Sequence, residues 1–156
     1  MLKIFSSITL IIMMVCIMYS QKINHQLNIQ ITMNNAALLH EANEFVKQGK
    51  YENFLAYCKE DTRWVFIGER VLSGKEELRA YMKEVYWEPP VFTVDRTIEE
   101  GDFVTVTGEI RLTSKIGKYN YYDYCDVWRF NNGKIAELKA YVIEKKISTE
   151  KSQNQD

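Results

Sequence analysis

The spacing of apolar residues along the chain changes from a helical period to a strand period. Between Asn34 and Gly49 the apolar positions lie three or four residues apart, which predicts an amphipathic helix that Asn34 or Asn35 caps and Gly49 ends. The apolar stripe of this helix consists of Leu38, Leu39, Ala42, Phe45 and Val46.

Two more helices and a short hairpin are predicted in the next forty residues. The short second helix has three apolar positions, which are Phe54, Leu55 and Tyr57. Trp64–Ile67 has the aromatic and β-branched residues of a strand, and Gly68-Glu69-Arg70 can turn the chain into Val71-Leu72. Ser73 followed by Glu76 forms a capping-box pattern, so a third helix is expected from about Lys75 to Val85.

Strands follow one another after Pro89-Pro90, which stop any helix. Each break between them contains the Gly or Asn that turns require. The predicted strands are Val91–Glu99, Phe103–Thr113, Tyr119–Phe130 and Lys134–Glu144. Because helices come first and strands follow, the order favours an α+β domain over a parallel sheet.

Pairing the last three strands about their turns predicts one apolar face and one polar face of the sheet. The first turn sets Val104 opposite Trp128 and Val106 opposite Asp126, and the second turn sets Ala136 opposite Trp128. The apolar face then holds Val104, Val106, Ile110, Tyr122, Tyr124, Trp128, Leu138, Ala140 and Val142. Gly108 lies mid-strand on this face, where a sheet can bend or another group can approach the backbone.

Asp126 is the only charged residue on the predicted apolar face. A carboxylate among aromatic and aliphatic side chains loses hydration, so its pKa should rise, and such a group can donate a proton or a hydrogen bond to a ligand. A structural role is an equal alternative, in which a tyrosine hydroxyl, a helix N-terminus or an arginine satisfies the carboxylate.

Composition excludes several classes of function. The chain of 156 residues has 20 basic and 21 acidic side chains, and this balance argues against a nucleic-acid partner, which requires a basic surface. Three cysteines and two histidines do not form a zinc framework, and no nucleophile elbow or phosphate-binding glycine loop occurs, so we expect no metal and no cofactor. His25, His40 and Glu99-Glu100 are interpreted as surface residues.

The N-terminal segment has the pattern of a secretory signal peptide. Lys3 precedes the short apolar run Ile8–Met18, and a polar stretch follows it. We therefore expect a signal peptide over residues 1–20, a polar lead-in over 21–33, a domain over 34–146 and a disordered tail over 147–156. Export to the periplasm or the medium follows, with no membrane contact after cleavage, although an uncleaved anchor stays open. Lipoprotein anchoring at Cys16 is disfavoured because no small residues precede it.

Export would place Cys58 and Cys125 in an oxidising compartment. The predicted strands put Cys125 on the outward face of the sheet and Cys58 near a helix end. A disulfide between them and two separate thiols both remain open.

Three segments together resemble the nuclear transport factor 2-like superfamily, especially its SnoaL-like members. They are the helix ending Phe45-Val46-Lys47-Gln48-Gly49, the run Trp64–Gly68 followed by Ser73–Leu78, and the run Cys125–Ile135. The resemblance covers residues 34–144 and implies a cone-shaped fold, in which three N-terminal helices close a strongly curved sheet over a central pocket. It also implies that homodimers are common. This scaffold hosts both enzymes and non-catalytic members, so the resemblance does not determine the function.

Ketosteroid isomerase is the member of this superfamily whose catalytic residues can be compared position by position. Asp126 matches its protonated, oxyanion-binding aspartate. The general-base aspartate falls on Val65, and the tyrosine of the first helix falls near Ala42. Since valine cannot transfer a proton, the comparison argues against steroid isomerisation and leaves open whether the chain is an enzyme.

Three functions are compatible with these observations. The first is an exported module that binds a small apolar or aromatic molecule in the pocket. The second is an enzyme of the lyase or isomerase type that uses Asp126 as general acid or hydrogen-bond donor, and the third is a non-catalytic protein that dimerises through its outer sheet face. The candidate ligand-binding residues are Val65, Trp87, Tyr122, Tyr124, Trp128 and Leu138.

Overall fold

The computed structural model describes residues 13–22 and 34–146. The described residues 13–22 are helical, here labelled α1, and exposed, and they include the free thiol of Cys16. The remainder of the predicted signal peptide, most of the polar lead-in with His25, and the tail over 147–156 lie outside the described residues. Among the helices that are described, none is both long enough and apolar enough to span a membrane.

The three predicted helices of the domain are confirmed, and their bounds are α2 Asn35–Lys47, α3 Tyr51–Leu55 and α4 Gly74–Val85. Helix α2 buries Leu38, Leu39, Ala42 and Val46, which is the predicted stripe apart from the half-buried Phe45. His40 lies on its exposed side, as expected.

The N-terminus of α2 is capped from the sheet. The backbone N–H groups of Asn35 and Ala36 donate to the carboxylate of Glu99, at 3.0 and 3.3 Å. The side chain of Asn35 donates instead to the carbonyl of Gly101 at 3.2 Å. Glu99 is exposed, as expected, and its carboxylate also binds the positive end of the helix dipole.

The N-terminus of α4 departs from the predicted capping box. The backbone N–H of Ser73 donates to Oε2 of Glu77 at 2.7 Å, and the Ser73 side chain makes no capping hydrogen bond. Glu76 pairs with Arg79 at 2.6 Å instead. Glu77, one position after Glu76, thus accepts the backbone hydrogen bond that the capping box assigns to Glu76. The other hydrogen bond of the capping box, from the Ser73 side chain, does not form.

Six strands form one mixed sheet, which completes the predicted α+β fold. The strands are β1 Cys58–Phe66, β2 Arg70–Ser73, β3 Val91–Glu100, β4 Phe103–Thr113, β5 Tyr119–Asn131 and β6 Lys134–Glu144. Their order is β2-β1-β6-β5-β4-β3, and all neighbours are antiparallel except β1 and β6. Strand β1 begins at Cys58, earlier than the predicted Trp64.

The predicted register is confirmed between β4 and β5 and wrong between β5 and β6. Val104 pairs with Trp128 and Val106 with Asp126, as expected. Trp128 pairs with Leu138 rather than with Ala136, because a bulge follows the tight turn at Asn132-Gly133. From Glu137 to Glu144 the displacement is two residues, so these side chains stay on their predicted faces. Before the bulge the displacement is one residue, which places the buried Ile135 beside Phe130 on the inner face.

Gly108 is a point of close backbone approach, as the sequence predicts. A Cβ atom at this position would lie 2.0 Å from the carbonyl oxygen of Thr93 on β3. Strand β3 has a bulge between Val94 and Arg96, directly beside this contact. The absence of a side chain at Gly108 therefore permits the local bend of the sheet.

The two cysteines of the domain are free thiols. Cys58 is buried at the start of β1, and burial raises its pKa to about 12. Cys125 is half-buried on β5. The question left open by the sequence is thus decided in favour of two separate thiols.

Candidate functional site

A cavity of about 280 Å³ lies on the apolar face of the sheet, closed by α2, α4 and the segment that follows α4. Nine aromatic side chains dominate its wall: Phe54, Trp64, Phe66, Tyr81, Tyr86, Phe92, Tyr122, Tyr124 and Trp128. The space exists because small residues lie at the centre of the sheet. Ala140 pairs with Phe66 on one side and with Asp126 on the other, and Gly108 pairs with Tyr124.

Asp126 lines this cavity in the middle of β5. Its side chain is surrounded by protein except where the cavity reaches it, and Oδ1 has no hydrogen-bond partner among the described residues. Burial raises the pKa of this carboxyl from 3.8 to about 7. Near neutral pH the group can therefore exist both as an acid that donates a hydrogen bond and as a carboxylate that accepts one.

Three tyrosine hydroxyls lie near enough to Asp126 for its charge to act on them. Burial, followed by this charge, raises the pKa of Tyr124 to about 12. Burial also raises the pKa of Tyr86, followed by the effects of Tyr81 and then of Asp126. The pKa of Tyr81 rises to about 12, mainly through burial. All three phenols are therefore protonated at neutral pH and can act as hydrogen-bond donors.

The hydroxyl of Tyr124 is already engaged by the backbone. It donates to the carbonyl oxygen of Thr93 at 3.0 Å, across the gap left by Gly108. Because a phenol has one proton, Tyr124 can offer a ligand only its oxygen as an acceptor while this bond is present.

The closed end of the cavity is a packed aromatic cluster. The Trp64 ring meets the rings of Trp128 and Phe54 edge to face, with centroids 5.4 and 5.8 Å apart. Leu138 lies between the two tryptophans in the sheet. Trp64 and Trp128 are each 4% exposed, so this end is sealed, and the indole Nε1 of Trp64 is buried there without a hydrogen-bond partner among the described residues.

The open end lies where β4 runs towards β5 and where β6 ends. The inward-facing residues of β6 change from Leu138, 2% exposed, to Val142, 44% exposed. Glu69 and Arg70 lie at the rim, where they form an ion pair at 2.8 Å. The guanidinium of Arg70 lies over the Tyr81 ring, 5.5 Å from its centroid. The cavity thus runs from a charged rim, past Asp126, to an aromatic floor.

The structure brings together five of the seven candidate site residues. Asp126, Tyr122, Tyr124, Trp128 and Leu138 all line the cavity.

Val65 and Trp87 do not line the cavity. Alternation along β1 directs Trp64 and Phe66 inward, so Val65 lies on the opposite face. Trp87 follows the end of α4 and is 55% exposed, with the ammonium of Lys115 over its ring at 5.2 Å. Trp87, a candidate ligand-binding residue in the sequence analysis, is therefore not part of the cavity wall.

Sequence reasoning missed Phe66, Tyr81 and Tyr86 as cavity residues. Phe66 could have been found from the alternation that excludes Val65. Tyr81 continues the apolar stripe of α4 with Leu78, Met82 and Val85, which the helical period shows. Nothing in the sequence indicates the inward turn of Tyr86, since it lies beyond the helix.

Within residues 13–22 and 34–146, no three His, Cys, Asp or Glu side chains come together as a metal site would require. The cavity wall offers carboxyl, phenol, amide and guanidinium groups in an apolar surround. Such a wall suits a small organic molecule with few polar atoms.

Comparison with known proteins identifies the domain family. The family model for the SnoaL-like domain matches residues 39–138. The chain belongs to the SnoaL-like family. Within it, the SnoaL-like domain of this chain has the expected fold of the nuclear transport factor 2-like superfamily, and no curated protein matches it significantly.

Solved structures share the fold of this SnoaL-like domain. A nuclear transport factor 2-like protein of unknown function from Burkholderia pseudomallei is 23% identical, with a TM-score of 0.63, over 70% of this chain and 91% of that one. Another from Cytophaga hutchinsonii is 17% identical, with a TM-score of 0.60, over 69% and 88%. The epoxide hydrolase/cyclase-like enzyme SalBIII, of pyran ring formation in the polyether salinomycin, is 15% identical with a TM-score of 0.64, over 72% and 93%. At these identities the likeness concerns the fold alone.

Proposed function

We propose that this SnoaL-like domain binds a small, mainly apolar or aromatic molecule in its cavity, with Asp126 as the polar contact. The observation that carries the proposal is the carboxyl of Asp126, which lies in the wall of an apolar cavity with Oδ1 unpartnered by any described residue. A buried polar group without a partner costs free energy, and a ligand that reaches this carboxyl would lower that cost.

The size and wall of the cavity define the ligand. A volume of about 280 Å³ lies at the lower end of the range for small-molecule sites and suits a molecule of one or two fused rings. The edge-to-face rings of Trp64 and Trp128 form an apolar floor. One polar group on the ligand, placed part-way along its length, would meet Asp126 while the rest contacts aromatic and aliphatic carbon.

Two aromatic probes that differ by one hydroxyl test this proposal. Isothermal calorimetry with β-naphthol and with naphthalene measures what the hydroxyl contributes. We expect the wild type to prefer β-naphthol by about tenfold, since one buried hydrogen bond to a charged or polar group contributes about 1.5 kcal/mol. Asp126→Leu should remove this preference while naphthalene still binds. The matched control is Asp123→Leu on the exposed side of the same strand.

Two results would contradict the proposal. One is failure of the wild type to bind either probe, which would show that the cavity does not admit a bicyclic ring system. The other is an unchanged preference for β-naphthol in Asp126→Leu, which would show that the hydroxyl contacts a group other than Asp126.

Acid–base catalysis of the lyase or isomerase type is the second candidate function. It is favoured by the pKa of about 7 at Asp126, because a catalytic acid is most effective when its pKa lies near the working pH. Tyr86 and Tyr81 supply neighbouring phenols for a second hydrogen bond. The name of SalBIII attributes ring formation to a protein of this fold. Retention of ligand binding with loss of turnover in Asp126→Asn would distinguish the enzyme from the binding module.

Export by the N-terminal segment and dimerisation through the outer sheet face complete the proposal. The first is supported by the apolar run Ile8–Met18 after Lys3, and mass spectrometry of the processed protein would reveal cleavage near residue 20. The second is supported by exposed apolar residues on the outer face, such as Tyr141 at 44% and Ile98 at 55%, and analytical ultracentrifugation would test it.

A further inference from the structure

The turn between β4 and β5 exposes large apolar side chains away from the cavity wall. Ile116 at its tip is 88% exposed, and Tyr119, the first residue of β5, is 48% exposed. Trp87, in the segment after α4, is 55% exposed. Exposed apolar groups that adjoin one another indicate a surface that contacts a partner.

Basic side chains alternate with these apolar ones and contact them. The ammonium of Lys115 lies 5.2 Å from the centre of the Trp87 ring. The guanidinium of Arg111 lies 4.4 Å from the centre of the Tyr119 ring. The resulting tip patch consists of Trp87, Arg111, Lys115, Ile116, Lys118 and Tyr119.

Hydrogen bonds hold the two chain segments of the tip patch together. The hydroxyl of Thr113 donates to Oε2 of Glu88 at 2.8 Å, which joins the segment after α4 to the end of β4. The N–H of Ser114 donates to the carbonyl of Lys118 at 2.8 Å, and the N–H of Lys118 donates to the Ser114 hydroxyl at 3.0 Å. These hydrogen bonds therefore fix the conformation of the turn and hold Ile116 at its tip.

The charge of the tip patch indicates an anionic partner. The turn from Arg111 to Tyr119 contains three basic residues and no acidic residue, and the neighbouring Glu88 accepts the bond from Thr113. Two copies of this patch would repel each other, which disfavours a second copy as the occupant. Trp, Tyr and Ile beside Lys and Arg are the residues that proteins place at the boundary between lipid headgroups and acyl chains.

The tip patch adjoins the open end of the cavity. Leu112 lines the cavity one residue before Thr113, and Tyr122 lines it three residues after Tyr119. Contact of the patch with a bilayer would therefore hold the open end beside a reservoir of apolar molecules.

We propose that the tip patch docks onto an anionic lipid surface, with Ile116 and Trp87 at the acyl boundary and Lys115, Lys118 and Arg111 among the headgroups. This differs from the expectation that the processed chain makes no membrane contact. Docking does not depend on the proposed ligand, so the two are tested by separate measurements.

Tryptophan fluorescence of the full chain in the presence of brominated vesicles reports insertion of Trp87. The chain has three tryptophans, and Trp64 and Trp128 are each 4% exposed, so acyl-chain bromine can reach only Trp87. The N-terminal segment contains no tryptophan, so its own binding to lipid gives a signal only if Trp87 also reaches the bilayer. The vesicles contain equal parts of brominated phosphatidylglycerol and phosphatidylcholine, and a second set contains brominated phosphatidylcholine alone.

We expect quenching of the wild type by the anionic vesicles and a loss of affinity of about fivefold for each basic residue removed from the patch. Lys115→Glu/Ile116→Ser/Lys118→Glu should abolish quenching, and Trp87→Phe should remove the signal. The control Arg96→Glu/Lys139→Glu makes the same two reversals of charge at exposed positions of β3 and β6 and should quench like the wild type. Circular dichroism melting confirms that the variants fold.

Absence of quenching in the wild type, or equal quenching by both vesicle types, would overturn the proposal. Quenching that persists in the triple patch variant would also overturn it, since another surface would then bring Trp87 to the bilayer. Binding of β-naphthol in solution is unaffected by any of these results and reports on the cavity alone.

Discussion

The hydroxyl of Tyr124 donates a hydrogen bond to the carbonyl oxygen of Thr93 at 3.0 Å, over the backbone of Gly108. This bond joins β5 to β3 across β4 at the bend of the sheet. It fixes the Tyr124 ring in the cavity wall and commits its only proton to the fold. The cavity depends on this arrangement, because a larger residue at position 108 would close the gap.

Removal of this bond should destabilise the domain slightly. Tyr124→Phe is expected to lower the free energy of unfolding by about 1 kcal/mol, the usual contribution of one hydrogen bond. Gly108→Ala should cost about 3 kcal/mol or more, because its Cβ would meet the Thr93 oxygen at 2.0 Å. Urea denaturation measures both, and a loss from Gly108→Ala no larger than that from Tyr124→Phe would show that β3 moves away freely.

The stability of the domain should depend on the protonation of Asp126. In the folded state the pKa of Asp126 is about 7, whereas its ordinary value is 3.8. The folded state therefore binds the proton more tightly than the unfolded state, and the free energy of unfolding should fall as the pH rises from about 4 to about 7. The difference between the two pKa values corresponds to about 4 kcal/mol as an upper limit.

Asp126→Asn should remove this part of the pH dependence and make the domain more stable than the wild type above neutral pH. Thermal melting across the pH range measures the effect. Asp123→Asn, on the exposed side of β5, should retain the wild-type slope. Parallel pH profiles for wild type and Asp126→Asn would show that the carboxyl is not buried as described.

Glu99 should stabilise α2 from outside the helix. Glu99→Ala removes the acceptor for the N–H groups of Asn35 and Ala36, and we expect a loss of about 1 kcal/mol. Glu100→Ala, its neighbour on the opposite face of β3, should have little effect on chemical denaturation. Equal losses from the two substitutions would argue against the cap.

Filling the cavity should abolish ligand binding and leave the domain folded. Ala140 is 2% exposed and lies between Phe66 and Asp126, so Ala140→Leu would extend a side chain into the space. We expect loss of naphthalene binding in calorimetry with a change in stability of less than about 2 kcal/mol. Lys139→Leu adds similar carbon on the outer face and should bind like the wild type. Retained binding in Ala140→Leu would place the ligand elsewhere.

The alternation of side chains along each strand, together with the local turns, was sufficient to predict the centre of the site. Asp126, Tyr124 and Trp128 share a face because alternation along β5 requires it, and the turn before β5 fixed their partners on β4. The bulge after Asn132-Gly133 could not be predicted from the alternation of apolar and polar residues, because one extra residue in an apolar segment does not change that pattern visibly.

Contacts between distant segments were not predictable from the sequence. Glu99 accepts from the N-terminus of a helix that begins 64 residues earlier, and no local pattern in the sequence indicates this contact. Trp87 is apolar and large, yet it is exposed, in a segment that the bond between Glu88 and Thr113 holds to the end of β4. Such features depend on the tertiary arrangement, which no single segment encodes.

The pKa of Asp126, measured by nuclear magnetic resonance of its carboxyl carbon with and without β-naphthol, tests the account most directly. We expect a pKa of about 7 in the free protein and a displaced titration when β-naphthol is bound, since the hydroxyl contacts this carboxyl. A pKa near the ordinary 3.8 that β-naphthol does not alter would contradict it, because the cavity would then lack its polar contact.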